Sequence, residues 1–268
     1  MRRPVLLATA AVLLCAGCST ADSDDAADAR DSAAPTSSAA YRNAVRKAAE
    51  TVGKGSAGVD ERIDITGDGK TYRLTVAGDF DFAADRGSIA VDLPGGGIDH
   101  SEEVFADDKI YMSGTAGTDD GTWGVIARDK AEVHYALRAP LNDPEHVLRQ
   151  VSAIRKVSKV GSETVGGVRA VHYRGVLGHA ALTLRMADDV RDKMDQVRAA
   201  VGSDVPVFVD AWVDDKGRLV RTRMTLNMSG SGVTATMDLS DFGKPVKPKI
   251  PKSADTYPVT RVAGVLLG

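Results

Sequence analysis

A two-residue alternation governs most of this chain and restricts it to a largely β fold. Val207, Val209, Ala211 and Val213 alternate with Phe208, Asp210 and Trp212. Side chains on a strand point alternately to opposite faces, so such a run has one face to bury and one to leave wet. A helix cannot use that spacing, because its neighbours lie three and four residues apart. After the turn Asp214-Asp215-Lys216-Gly217, the residues Val220, Thr222, Met224, Leu226 and Met228 form one face, with Arg221 and Arg223 opposite. A second turn, Ser229-Gly230-Ser231-Gly232, leads to Val233, Ala235, Met237 and Leu239. Three strands joined by tight turns make an antiparallel meander.

The same period runs through the first half. Val59 to Thr66 alternates, Gly67-Asp68-Gly69-Lys70 turns, and Tyr72, Leu74, Val76, Phe80 and Phe82 share one parity. Ile89, Val91 and Leu93 continue it before a turn at Pro94-Gly95-Gly96-Gly97. Short strands follow near Val104 and over Lys109 to Ser113, then over Lys156 to Glu163 and Val168 to Gly175. Helical spacing appears in three places. Tyr41, Val45, Ala48, Ala49 and Val52 form one stripe, and Asp143-Pro144-Glu145 opens a helix through Ile154. Leu182, Met186, Val190, Met194, Val197 and Val201 stripe a third helix over Ala180 to Val201. The expected fold is α+β: a curved antiparallel half-barrel of about ten strands, with helices packed on its concave face.

The N-terminus is a targeting signal. Arg2 and Arg3 precede an apolar run from Val5 to Leu14, about ten residues, where a bilayer span needs about twenty. Ala16 and Gly17 stand before Cys18, the small-residue arrangement a lipoprotein signal peptidase requires to bring backbone to its catalytic site. Residues 1–18 therefore resemble a lipobox leader, with Cys15 where Leu is commonest, and Cys18 is the expected lipidation site. Two acyl chains on Cys18 would anchor the protein stably, which one chain does not. An ordinary secretory signal cut a few residues later is the alternative. Residues 19–40 hold Ala, Ser, Asp and Thr without aromatic or large aliphatic side chains, and read as a disordered tether spanning about 25 Å. Residues 41–268 form one domain, large enough to bury a core without disulfides, since both cysteines lie in the leader region.

Charge and chemistry narrow the function. The net charge is −3, and removal of Arg2 and Arg3 makes it about −5, which argues against nucleic acid or anionic headgroups as main partners. No Gly-x-Ser-x-Gly appears, and His100, His134, His146, His172 and His179 show no metal-ligand spacing. The acidic pairs fit turns rather than a cleft. No cofactor, metal or catalytic residue is expected. Trp123 and Trp212 read as packing residues, and a calcium loop at Asp119-Asp120-Gly121 lacks the twelve-residue ligand pattern.

Several segments resemble the LppX/LprG family of actinobacterial lipoproteins. They are the lipobox ending at Cys18, the strand Asp108-Lys109-Ile110-Tyr111-Met112, and Trp123 after a Gly-rich loop. The hairpin from Trp212 to Leu219 and the run Asp241-Phe242-Gly243-Lys244-Pro245-Val246 leading to Pro251 complete them. The resemblance implies a half-barrel related in shape to LolA and LolB that holds acyl chains of lipids or glycolipids in its concavity. The expected function is non-catalytic binding or carriage of a hydrophobic ligand on the extracytoplasmic face of the cell membrane. The expected apolar lining is Leu74, Val76, Phe80, Ile89, Val91, Leu182, Met186, Val190, Met224, Leu226 and Met237. The alternative is an anchored sensor or adaptor that contacts an envelope protein and carries no cargo. A hollow between helix and sheet would favour the carrier.

Overall fold

A computed structural model describes residues 33–95, 99–114, 121–131, 143–228 and 230–259. The leader and Cys18 lie outside these residues, as do Asp119 and Asp120. The described residues from Thr36 onward form one compact unit. Helix α1 (Ala33–Val52) is followed by strands β1 (Ser56–Gly67), β2 (Lys70–Asp81), β3 (Arg86–Asp92), β4 (His100–Ala106), β5 (Lys109–Ser113) and β6 (Trp123–Ala127). Helix α2 (Pro144–Ser152) leads into β7 (Arg155–Val165) and β8 (Val168–Leu177). The short α3 (His179–Leu182) and α4 (Asp188–Val201) precede β9 (Val207–Asp214), β10 (Leu219–Met228), β11 (Ser231–Ser240) and β12 (Thr256–Pro258).

All twelve strands join one sheet in the order β12-β6-β5-β4-β3-β2-β1-β11-β10-β9-β8-β7. Every pair is antiparallel except β12 on β6, which is parallel. This is the α+β half-barrel, an open curved sheet with four helices among the described residues. Two glycines stand where neighbouring strands crowd together. A Cβ on Gly78 would meet Ser88 O at 2.1 Å, and one on Gly87 would meet Asp79 O at 2.5 Å, so β2 and β3 approach more closely than any side chain allows.

One face of the sheet and three helix stripes share a single apolar core. Val45, Ala48, Ala49 and Val52 of α1 bury there, with Val147, Leu148 and Val151 of α2. Asp143 caps α2, accepting from the N–H groups of Glu145 and His146 at 3.1 and 3.3 Å, with Pro144 at the first position.

Four expectations need correction. The first helix begins at Ala33, ahead of Tyr41, so the end of the segment read as a disordered tether is helical; alanine-rich composition favours this. The helix expected over Ala180 to Val201 breaks between Leu182 and Asp188, where Arg185 takes a left-handed φ of 60°. There the Arg185 guanidinium bonds Asp143 at 2.9 Å and the carbonyls of Arg128 and Ala131 at 2.9 and 3.0 Å, and these tertiary bonds override helical continuity. A bulge between Leu219 and Arg221 turns Val220 outward, where it packs with Trp212, while Leu219 enters the core. Strands β6 and β12 exceed the expected ten, the latter formed by the Pro- and Lys-rich tail at the sheet edge.

Candidate functional site

The ladder registers bring the expected lining residues together. Thr222, Met237, Glu61, Val76 and Val91 stand opposite one another in one row across β10, β11, β1, β2 and β3. Met224, Ala235, Ile63 and Leu74 make the neighbouring row. With strands about 4.8 Å apart, the second row is a continuous aliphatic band, and the first is aliphatic apart from Thr222 and Glu61. Phe80 closes one end, its ring 5.3 Å from Phe105 and 5.1 Å from Phe82. Leu182 and Met186 reach the same core from the segment around α3, and Met194 from α4.

These residues are closed off by the protein's own helices. Leu74, Val76, Phe80, Ile89, Val91, Met224 and Met237 are 0–3% exposed, and Leu182, Met186 and Leu226 are also buried. Val190 is half-buried and packs at the margin. A hollow of about 690 Å³ lies against Ala77, Asp79, Ile89, Glu102, Val104 and Trp123 under the tail residues Lys249 to Lys252.

Sequence reasoning missed the polar groups inside. Glu61, Ser101, Glu103 and Thr222 are buried. They continue the alternation with the wrong polarity, so the two-residue period that should have flagged them was read through. The Glu103 carboxylate oxygens have no hydrogen-bond partner. Burial pushes the Glu103 carboxyl well up, the nearby Asp143 charge adds to this, and Arg128 only partly opposes it.

A charged latch closes the sheet beside this face. Arg128, following β6, bonds Asp85 through Nε and Nη2 at 2.8 and 2.6 Å and reaches Asp143 at 2.8 Å. Its guanidinium lies 4.7 Å from the Phe105 ring centre. Burial works against the Arg128 charge, but Asp85 and Asp143 hold its pKa above the ordinary value. Burial likewise pushes the Asp143 carboxyl up, and Arg128 with Arg185 more than offsets it, leaving it below the usual range. The latch joins the β2–β3 turn, the end of β6, the cap of α2 and the break before α4.

Helix α4 is the least embedded cover. Of its 14 residues only Met194 is fully buried. Polar ties hold it: His179 Nε2 to Asp195 at 2.5 Å, and Arg198 to Asp204 at 2.9 Å. Asp204 also accepts from the His179 N–H and Arg155.

The remaining candidates are structural. His172 stacks on Trp212 at 4.3 Å between ring centres and contacts Asp210 and Glu163 at 2.6 and 3.0 Å on the outer face. Trp123 packs against Val104, Ala106 and Tyr111. Among the described residues no group of three or more His, Cys, Asp or Glu is placed to hold a metal ion. No described helix is long and apolar enough to cross a membrane.

Fold and face together define a half-barrel with a helix-covered apolar interior. The chain belongs to the LppX_LprAFG lipoprotein family, whose model matches residues 42–248. It is similar to Mycobacterium tuberculosis LppX, with 16% identity, a TM-score of 0.49, and coverage of 78% of this chain and 98% of that one. It is also similar to Mycobacterium bovis LprF, with 13% identity, a TM-score of 0.48, and coverage of 79% and 97%. An uncharacterised 31.2 kDa Streptomyces griseus protein is 30% identical over 115 residues. That match spans 42% of this chain and 38% of the Streptomyces protein.

Proposed function

We propose that this lipoprotein, anchored through Cys18 on the extracytoplasmic face of the cell membrane, binds the acyl chains of a lipid against its inner face without catalysis. The observation that carries this reading is a largely apolar inner face packed in one core with α1, α2 and α4, of which α4 fully buries only Met194. Lifting α4 costs about 1.5–3 kcal/mol for that side chain, with less for the half-buried Val190 and Val197. Each acyl methylene leaving water gains about 0.8 kcal/mol, so four or five methylenes offset the apolar part of that cost, to which the His179–Asp195 tie adds. A chain of ordinary membrane length exceeds this severalfold. The methionines Met186, Met194, Met224 and Met237 give the face soft, rearrangeable walls for a flexible guest.

Native mass spectrometry of protein purified from its own host tests the reading. The expected spectrum carries bound lipid masses, and adding that lipid to stripped protein raises the melting temperature. Asp195→Ala, which frees His179 and loosens α4, speeds lipid uptake. Protein that never carries lipid, and whose melting temperature added lipid leaves unchanged, rules the carrier out.

A further inference from the structure

The tail that crosses the outer face is a basic strap in an acidic protein. Residues 242–254 carry Lys244, Lys247, Lys249 and Lys252 and no acid, whereas the whole chain has a net charge of −3. All four lysines are exposed. One of them is paired, Lys244 with Asp79 at 3.5 Å. Asp79, Glu102 and Asp255 line the hollow beneath the strap, and Asp85, Asp107 and Asp108 line a second hollow beside Lys247. Apart from Lys244–Asp79, these acids form no ion pairs to the strap among the described residues.

The strap is fixed at both ends. The Gly243 N–H donates to Ser56 O at 2.9 Å, the Ser56 hydroxyl donates to Lys244 O at 2.6 Å, and Val246 is buried. At the far end β12 pairs with β6, and the Val259 N–H donates to Val125 O at 2.9 Å. Between these clamps stands Ile250, a large aliphatic side chain 44% exposed among the lysines. Pro245, Pro248 and Pro251 fall at every third position and remove three backbone donors. A partner strand adding by backbone pairing needs those donors, so the strap is unsuited to that mode of protein docking.

We propose that this strap is a second membrane contact, docking on an anionic lipid surface with its lysines at the phosphates and Ile250 at the boundary of the acyl region. Cations around one exposed aliphatic residue match that interface, where each nearby lysine contributes about 1 kcal/mol, roughly fivefold in affinity. A lipoprotein works beside such a surface. The contact would orient the half-barrel on the bilayer instead of leaving it free at the end of its tether. This inference depends on the membrane-side location and is independent of any cargo.

Amine footprinting of the full chain tests it. The protein is reconstituted by detergent removal into phosphatidylcholine vesicles, with or without phosphatidylglycerol, and labelled with an amine-acetylating reagent before mass spectrometry. The expected result is a fivefold or larger fall in labelling of Lys244, Lys247, Lys249 and Lys252 on the anionic vesicles alone. Protection disappears at about 1 M salt, where the screening length is about 3 Å. Lys193 on α4 and Lys216 in the β9–β10 turn serve as exposed controls that stay reactive. The triple substitution K247Q/K249Q/K252Q keeps the parent melting curve and loses protection at Lys244. Equal labelling on both vesicle types, or protection spread equally over Lys193 and Lys216, overturns the proposal. Such a result leaves lipid carriage by the inner face untouched.

Discussion

Replacing Asp143 with alanine removes the acid on which the latch converges. Asp143 is fully buried and joins Arg128, Arg185 and the first N–H groups of α2. Loss of the helix cap costs about 1 kcal/mol. Loss of the anion strands Arg128, whose side chain is 10% exposed, beside Asp85 alone, and breaking a buried pair costs about 3–5 kcal/mol. The sum, about 4–6 kcal/mol, is a large fraction of the stability of an ordinary domain. Urea titration followed by far-ultraviolet circular dichroism reads this as a lowered midpoint with an unchanged slope. Asp143→Asn keeps the cap acceptor and loses the charge, so it falls between parent and alanine variant. The parent also has an acid limb. Because the Asp143 pKa is lowered in the folded form, its stabilisation is complete above the ordinary carboxylate range and is lost as pH falls through the folded value. Asp143→Asn removes that component. An alanine variant within about 1 kcal/mol of the parent refutes the reasoning, because it would mean the latch carries no net energy.

Glu103 has the opposite sign. Its raised pKa means that it costs stability as pH rises from the ordinary glutamate value of 4.5 through the folded value. Glu103→Met is therefore more stable than the parent at neutral pH, with the advantage shrinking below pH 4.5, and thermal melts at the two pH values check it. Met237→Ala empties the middle of the inner face and costs about 2–5 kcal/mol in urea titration, whereas Phe208→Ala, 49% exposed on the outer face, stays within about 0.5 kcal/mol. If Cys18 is the anchor, mass spectrometry of the chain purified from host cells finds acyl groups on the parent protein and none on Cys18→Ala.

Much of the fold was legible because strand alternation and turn chemistry are local. That Met224, Met237, Leu74 and Val76 lie on the apolar face of their strands followed from parity, whereas their alignment into rows depends on the long-range pairing of β1 with β11. The break at Arg185 was not legible, because its cause is a contact with Asp143, 42 residues earlier in sequence. Nor was the outward turn of Val220, since a bulge shifts parity without changing composition. Strand β12 has three residues and exists only because β6 offers it an edge. The lining residues were recognisable as one face, but alternation is the same for a face that meets a hollow and one that meets a helix. The closure by α1, α2 and α4 belongs to tertiary packing. The basic strap was visible in composition, yet its clamps at Ser56 and Val125 come from distant segments.

Methyl NMR of methionine-labelled, lipid-stripped protein addresses the inner face directly. On titration with a palmitoyl lipid, the methyl signals of Met186, Met194, Met224 and Met237 should move together and saturably. Lipid that binds the protein while those four signals stay fixed would contradict a seat beneath α4.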